Sequence, residues 1–201
     1  MQLSKTAYHA DFAIYAIVLC VLAGATALGT SWVQRIHWLA AFTAAMAGWT
    51  LLEYLLHRFL LHRGSVFAGM HAVHHDSPRA YVGTPTWVSL GTFWLVVFLP
   101  VWWGVSFNIA SGLTAGVMMG FLWYGVVHHV IHYRRPRVLA SWMLASRHRH
   151  LRHHYSTQAG NFGVTIPLWD YVFGTVIAED RARPPASLGD PALARLPERL
   201  L

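Results

Sequence analysis

Ten of the fourteen histidines in this chain fall into four tight groups that lie where hydrophobic segments end. Neutral imidazole is the commonest metal ligand in proteins. Zinc takes about four ligands and octahedral ions about six, so ten imidazoles predict two ions with about five each. On an apolar chain with one cysteine, such a centre favours oxygen chemistry on lipids. The groups are His57-x4-His62, His71-x2-His74-His75, His128-x3-His132 and His150-x2-His153-His154.

The spacing within each group determines which histidines can face one ion. An α-helix turns about 100° per residue, so the i, i+3, i+4 pattern of His71, His74 and His75 spans an arc of about 100°. The second triplet, which begins at His150, repeats this pattern. His128 and His132 in the last hydrophobic segment are one turn apart and lie on one helix face. His57 and His62 are five residues apart, about 140° around an α-helix. These two are expected to serve different ions or to lie across the end of a helix.

The other four histidines are predicted to be background. His9 and His37 lie near the starts of hydrophobic segments and fit the membrane interface. His129 and His148 point away from the neighbouring ligand candidates on a helix. Spacing alone leaves open a pair of His129 with His132. An all-nitrogen ligand set suits iron, copper, zinc or nickel, so the ligand type does not choose the metal.

Composition predicts an all-α membrane protein. Only 11% of the 201 residues are charged, against about 25% in soluble domains. Four apolar segments are long enough to cross a bilayer, which takes about 20 helical residues. The expected organisation is one membrane domain, residues 1–183, whose connections 58–86 and 132–180 form a helical cap over the histidines. Residues 184–201 are expected to be a C-terminal tail. The four segments are residues 12–29, 36–57, 87–107 and 109–131.

The positive charges are distributed unevenly along the chain. Of the 15 lysines and arginines, only Arg35 lies between the first two spans, whereas ten arginines follow the fourth. By the positive-inside rule, both termini and all four histidine groups are predicted to face the cytoplasm. The same rule accounts for the net charge of +7. Nucleic-acid binding is not expected, because the basic residues are interleaved with membrane spans and form no binding module.

Two other classes of protein also bind metals through histidine. A metal transporter or sensor is the alternative from a different class, but a transporter needs polar groups through the middle of the membrane, and these spans have none. A haem-binding redox protein needs paired histidines deep within two spans, whereas these histidines cluster at span ends. Both alternatives therefore fit the pattern less well than an oxidase does.

Five segments of the chain resemble the fatty acid hydroxylase and sterol desaturase superfamily. The resemblance covers roughly residues 50 to 176, and the histidine boxes occur in the same order. The segments are EYLLHRFLLH (53–62), HAVHH (71–75), VVHHVIH (126–132), RHLRHHY (149–155) and NFGVTIPLWDYVFGT (161–175).

The resemblance implies a four-span membrane enzyme with a cytoplasmic cap, two histidine-bound metal ions and O2-dependent hydroxylation of an unactivated C–H bond. It implies iron in the working enzyme, with zinc in some purified or crystallised forms. It also favours His128 over His129. The metal ligands that it implies are His57, His62, His71, His74, His75, His128, His132, His150, His153 and His154.

The resemblance also bears on substrate and partners. It implies a membrane lipid as substrate, with a fatty acyl or related chain as the first expectation. Desaturation, or oxidation of a sterol or carotenoid at the same site, is the alternative within the superfamily. The chain is short and shows no cytochrome b5-like domain. Electrons are therefore expected from a separate carrier of cytochrome b5 or ferredoxin type.

Three polar side chains are predicted to support the metal ligands. Glu53 precedes His57 by one helical turn, and a carboxylate near membrane depth is costly enough to suggest a function. We expect Glu53 to accept a hydrogen bond from the second ring nitrogen of a ligand histidine, which would orient that ring. Asn161 and Asp170 are candidates for the same role.

Overall fold

The computed structural model describes residues 2–63, 66–134 and 139–178. The predicted tail, residues 184–201, lies outside the described residues. The predicted all-α fold is confirmed: the described residues form helices and one isolated β-bridge between Gln2 and Val82. The helices are α1 (Lys5–Gly29), α2 (Trp32–Leu55, continued as a π-helix over Leu56–Leu61), α3 (Val66–Asp76), α4 (Thr86–Thr92, continued as a π-helix over Phe93–Phe98), α5 (Leu99–Gly104), α6 (Phe107–Tyr133), α7 (Ser141–Tyr155) and α8 (Leu168–Val172).

Four of these stretches are long and apolar enough to cross a membrane, as predicted. Their apolar side chains also face outward; for example, Leu28 is 91% exposed and Val21 is 62% exposed, as expected for a surface covered by lipid. The multi-pass membrane character of the chain is therefore confirmed. The spans are Lys5–Gly29, Trp32–Leu61, Thr86–Gly104 and Phe107–Tyr133.

Three of the four spans begin earlier than their hydrophobic segments because serine caps start their helices. Ser4 accepts a hydrogen bond from the N–H of Ala7, so α1 begins seven residues before the predicted start. Ser31 forms a reciprocal capping box with Gln34 at the start of α2, which satisfies two backbone groups of the first turn. Ser106 caps α6. The turn between the last two spans therefore lies before Phe107, and not at the predicted position after it.

Helices α2 and α6 are in close backbone contact, which fixes the two long elements that carry histidines. A Cβ atom at Gly116 would lie 2.3 Å from the carbonyl oxygen of Phe42, and one at Gly112 would lie 2.6 Å from that of Trp38. Small residues at such positions let membrane helices approach until their backbones touch. The histidines near the ends of α2 and α6 are thus held at a fixed separation.

An apolar cluster joins α6, α7 and the segment after α7. It consists of Val127, Ile131, Met143 and Val164, all buried. Beside it the buried Arg147 of α7 donates a hydrogen bond to the carbonyl oxygen of Ile131 near the end of α6. This contact satisfies a backbone acceptor that the helix end leaves open. Helix α7 is thereby anchored against the end of α6.

Candidate metal centre

Ten histidines come together in two groups near the ends of α2 and α6. In each group five rings contribute one nitrogen apiece, and these nitrogens lie within 4.8 Å of one another. We name the groups site 1 and site 2. Site 1 comprises His57, His62, His71, His75 and His153, and site 2 comprises His74, His128, His132, His150 and His154.

The histidines predicted to be background lie outside both sites. His129 Nδ1 is 3.3 Å from the hydroxyl oxygen of Tyr8, and its ring stacks on Tyr133. His148 is exposed on α7. The ten residues brought together are therefore the ten that the sequence nominates, and the alternative pair of His129 with His132 is not formed.

A π-helix explains why His57 and His62 share site 1. Of the two expectations for this pair, the second is the one that the structure shows: His57 and His62 lie across the end of a helix, and both belong to site 1. The segment Leu56–Leu61 is a π-helix, and His62 directly follows it. Hydrogen bonds in a π-helix join residues five apart, so positions i and i+5 lie near one face. The irregular turn thus brings two rings to one point.

Each HxxHH triplet contributes to both sites. In α3 the i, i+4 pair His71 and His75 belongs to site 1, while His74 belongs to site 2. In α7 the i, i+4 pair His150 and His154 belongs to site 2, while His153 belongs to site 1. Helices α3 and α7 therefore each contribute to both sites. Helix α3 gives two histidines to site 1 and one to site 2, and α7 gives one to site 1 and two to site 2.

The nitrogen spacing in site 1 fits a metal ion better than it fits hydrogen bonds. The Nε2 atom of His71 lies 3.0 Å from the Nε2 atoms of His57, His62 and His75. A neutral imidazole nitrogen either donates one proton or accepts one, so it cannot satisfy three such contacts. Two nitrogens bound at right angles to one ion at about 2.1 Å lie about 3.0 Å apart. The donor set therefore fits a metal ion.

Site 2 shows the same crowding together with unpaired lone pairs. His150 Nε2 lies 2.9 Å from His132 Nε2 and 3.0 Å from His154 Nε2. The Nε2 atoms of His74 and His128 are buried and have no hydrogen-bond partner among the described residues. Buried polar atoms are normally satisfied, so a metal ion would account for them.

Three of the site histidines outside the spans are held neutral, which is the form that binds metals. Burial lowers the pKa of His74 and of His75 to about 4, and it lowers the pKa of His153 to about 3. At neutral pH these rings keep a free lone pair.

Two backbone carbonyls orient the rings of site 1. His57 Nδ1 donates a hydrogen bond of 2.6 Å to the carbonyl oxygen of Phe162, and His153 Nδ1 donates one of 2.8 Å to that of Gly160. A carbonyl only accepts, so each proton resides on Nδ1 and each Nε2 atom is left free toward the site. Such bonds fix the tautomer and orientation of ligand imidazoles. We call residues 160–165 the carbonyl loop.

Glu53 holds the carbonyl loop and does not contact an imidazole. It is 3% exposed, and Oε1 accepts hydrogen bonds from the backbone N–H groups of Val164 (2.8 Å) and Thr165 (2.9 Å). Oε2 accepts one from the Thr165 hydroxyl. The prediction that Glu53 binds a ring nitrogen is therefore wrong: His57 uses the carbonyl of Phe162 instead, and Glu53 positions the loop that carries it.

Asp170 and Asn161 act on the same loop. The two carboxylate oxygens of Asp170 accept hydrogen bonds of 2.8 Å from the N–H groups of Phe162 and Gly163. Asn161 adopts a left-handed φ of 53°, and its side chain accepts a hydrogen bond from the N–H of Ile177. Both residues were predicted to support ligands directly, and both instead support them through the backbone of the loop.

An apolar cavity of about 460 Å³ reaches both sites. It runs between α1, α2, α4 and α6. Val117 lines it eleven residues before His128 on α6, a distance of about 16 Å along a helix. The cavity thus leads from the histidines into the membrane-spanning part. Four histidines line it, namely His57 and His71 of site 1 and His74 and His128 of site 2.

Asp11 lines the apolar cavity and was missed by the sequence interpretation. Its carboxylate accepts a hydrogen bond from the Thr86 hydroxyl, and the residue is half-buried within the first span. The predicted span began at Phe12, immediately after it. The serine cap at Ser4 is the signal that would have placed Asp11 within the second turn of α1.

A second, basic pocket of about 450 Å³ opens on the other side of site 1. Two arginines, Arg58 and Arg63, line it together with residues 156–159. The histidines that line it are His62, His75, His153 and His154. None of these lines the apolar cavity, so the metal centre presents different rings to two different surroundings.

The chain is similar to known proteins over most of its length. A family model described as fatty acid hydroxylase matches residues 42–175. A fatty acid 2-hydroxylase of Rattus norvegicus is 32% identical over 151 residues, which cover 69% of this chain and 40% of the rat protein. A dihydroceramide fatty acyl 2-hydroxylase of Arabidopsis thaliana is 30% identical over 186 residues, which cover 87% of this chain and 75% of the plant protein.

A solved structure, described as full-length Scs7p with only the hydroxylase domain visible, has the same fold. It superposes with a TM-score of 0.72 at 26% sequence identity, and the match covers 91% of this chain and 70% of that one. The family model covers more than half of the chain, including every histidine of the two sites. The chain therefore belongs to the fatty acid hydroxylase family, as the sequence resemblance indicated.

Proposed function

We propose that this protein is a membrane hydroxylase that inserts one oxygen atom of O2 into a C–H bond of a lipid acyl chain. The observation that carries the proposal is the apolar cavity that ends at histidines of both sites. The net reaction consumes O2, two electrons and two protons per C–H bond and yields an alcohol and water. The similarity to fatty acid and dihydroceramide 2-hydroxylases supports a lipid substrate.

We assign one iron ion to each site, with the five histidines of that site as its ligands. Zinc suits an all-imidazole set but has no redox chemistry, whereas the proposed reaction requires electron transfer to O2. When bound, the two irons supply that reduction, which the protein's own side chains do not perform. The carbonyl loop keeps Nε2 of His57 and of His153 free and aimed at site 1.

The cavity binds and orients the substrate. Its walls are mainly apolar, so an acyl chain placed along α6 is removed from water next to the histidines. Asp11 and Thr86 place polar groups on α1 and α4 beside the cavity. A hydroxyl or amide group of a lipid headgroup can donate a hydrogen bond to Asp11. The acyl carbons closest to the headgroup are then the ones closest to the metal centre, which agrees with hydroxylation at the 2-position.

The histidine end of the molecule is proposed to face the cytoplasm. Arg35 lies in the first turn of α2 at the opposite end, while Arg58, Arg63 and the arginines of α7 lie at the histidine end. This distribution follows the positive-inside rule. Helices α3, α7 and α8 then form a cytoplasmic cap, and both chain termini lie on that side.

Oxygen-isotope labelling tests the proposal. Iron-loaded protein in lipid nanodiscs, reduced and mixed with 18O2 and an N-acyl lipid, should give a product heavier by one 18O atom. Mass spectrometry of its fragments should place that atom at carbon 2. His150→Ala should give no product, and the exposed control His148→Ala should match wild type. A product that lacks two hydrogens and contains no 18O would identify a desaturase instead, and metal uptake into vesicles without lipid oxidation would identify a transporter.

A further inference from the structure

The basic pocket presents site 1 to water. His62 is the only exposed member of the ten histidines, and it lines the pocket together with His75 and His153 of the same site. The apolar cavity touches other rings, so the two openings do not share a histidine. A reactant that arrives through the pocket therefore reaches site 1 without entering the space assigned to the lipid.

Two arginines are held at this pocket by aromatic rings. The guanidinium groups of Arg58 and Arg63 both lie 5.0 Å from the ring centre of Phe59. Arg58 also donates a 2.7 Å hydrogen bond to the hydroxyl of Tyr54. Within residues 2–63, 66–134 and 139–178, neither arginine contacts a carboxylate. The pocket thus carries two fixed positive charges that no acidic side chain of the described chain neutralises.

The chemistry of this pocket fits the delivery of electrons. Each hydroxylation needs two electrons and two protons, and neither can cross the apolar cavity while a lipid fills it. Complementary charge steers transient partners and sets their association rate. An acidic carrier that docks on Arg58 and Arg63 would have His62 as its nearest route into the metal centre.

We propose that the basic pocket is the docking surface for an acidic protein electron carrier, which reduces the metal centre through the exposed edge of His62. This inference rests on the proposed hydroxylase function. In each cycle the carrier loses two electrons in two one-electron steps, and O2 gains them as one oxygen atom enters the lipid and the other leaves as water with two protons from solvent.

The test compares protein-delivered with chemically delivered electrons. The variant Arg58→Glu/Arg63→Glu and the milder Arg63→Glu are matched with Lys5→Glu/Arg134→Glu, which makes the same net charge change at exposed positions of the same end of the molecule. Steady-state turnover is measured with reduced cytochrome b5 and with a reduced [2Fe–2S] ferredoxin. Single-turnover product is measured after reduction by photoreduced methyl viologen, which needs no docking surface.

We expect the double variant to lose at least about tenfold in turnover with an acidic carrier, through a higher KM for the carrier, and to lose its dependence on ionic strength. Its single-turnover yield should equal that of wild type, and the control pair should match wild type in both assays. Equal loss in both assays, or wild-type turnover in both arginine variants, would overturn the docking proposal. A loss that follows the anionic lipid content of the nanodisc would overturn it in favour of lipid headgroup binding. Absence of product from wild type in both assays would instead refute the hydroxylase function.

Discussion

Sites 1 and 2 have the same number and type of residues but differ in what holds their rings. In site 1, Nδ1 of His57 and of His153 donate to carbonyls of a loop that follows α7. In site 2, Nδ1 of His150 and of His154 are buried with no partner among the described residues. The comparison teaches that site 1 depends on the carbonyl loop, whereas site 2 depends on the packing of α3, α6 and α7 around it.

The two sites also differ in their surroundings. Site 1 is shared between the apolar cavity and the basic pocket, while site 2 meets the pocket at His154 alone. A solvent-facing ring, His62, occurs in site 1, and the members of site 2 are buried or half-buried. Site 1 is therefore the side at which electrons are proposed to enter.

The largest expected effect is the loss of a ligand. His57→Ala and His128→Ala should each lower iron content from about two ions per chain to about one and should reduce activity by more than about 100-fold, which exceeds the effect of changes behind a ligand. His129→Ala, one residue away from His128, should keep both the wild-type iron content and the wild-type activity. The measurement is elemental analysis with product formation at equal expression. Equal loss in His128→Ala and His129→Ala would contradict the assignment.

The next largest effect is expected when the carbonyl loop loses its contact with Glu53. Glu53→Gln replaces an acceptor oxygen by an NH2 group that faces backbone N–H donors, so the loop should loosen and site 1 should lose metal about tenfold faster. The release of metal to a chelator should then show one accelerated phase, from site 1, and one unchanged phase, from site 2. Asp76→Asn, an exposed acid beside His75, is the matched control and should be nearly silent. Release at the wild-type rate in Glu53→Gln would show that site 1 does not depend on this carboxylate.

A glycine in the same loop offers a steric test. A Cβ atom at Gly163 would lie 2.2 Å from the carbonyl oxygen of Ile166 and 2.9 Å from Asp170 Oδ2. Gly163→Ala should therefore destabilise the protein by about 1–3 kcal/mol and weaken iron binding at site 1 more than at site 2. Gly69→Ala, where a Cβ meets nothing within 4 Å, should be tolerated. Thermal unfolding would measure the stability of both variants, and iron titration would measure their iron binding. Equal weakening of iron binding at the two sites would contradict the claim that only site 1 depends on the carbonyl loop.

The smallest effect concerns the cavity that both sites share. Asp11→Asn keeps the shape of the side chain but removes the charge that is proposed to accept a hydrogen bond from the lipid headgroup. Weakening one such bond costs about 1 kcal/mol, so KM for the lipid should rise about threefold to tenfold. Iron content of both sites should not change. An unchanged KM would mean that Asp11 does not contact the substrate.

Much of the fold and the set of clustered histidines could be predicted from sequence, because both follow from local patterns. Apolar segments revealed the four spans, and helical spacing grouped the histidines. Spacing alone could not decide whether His57 and His62 share a site, since a π-helix has no clear sequence signature. The role of Glu53 was also out of reach, because its partners Val164 and Thr165 lie more than a hundred residues away. Asp11 was missed because hydrophobicity, and not capping, was used to begin the span.

Anomalous diffraction at the iron edge, from crystals of the iron-loaded protein, tests most directly whether two histidine sites hold two ions. Two peaks per chain are predicted, each about 2.1 Å from ring nitrogens. One should be surrounded by the five histidines of site 1 and the other by the five of site 2. A single peak, or a peak bound by residues outside these ten, would contradict the two-ion centre.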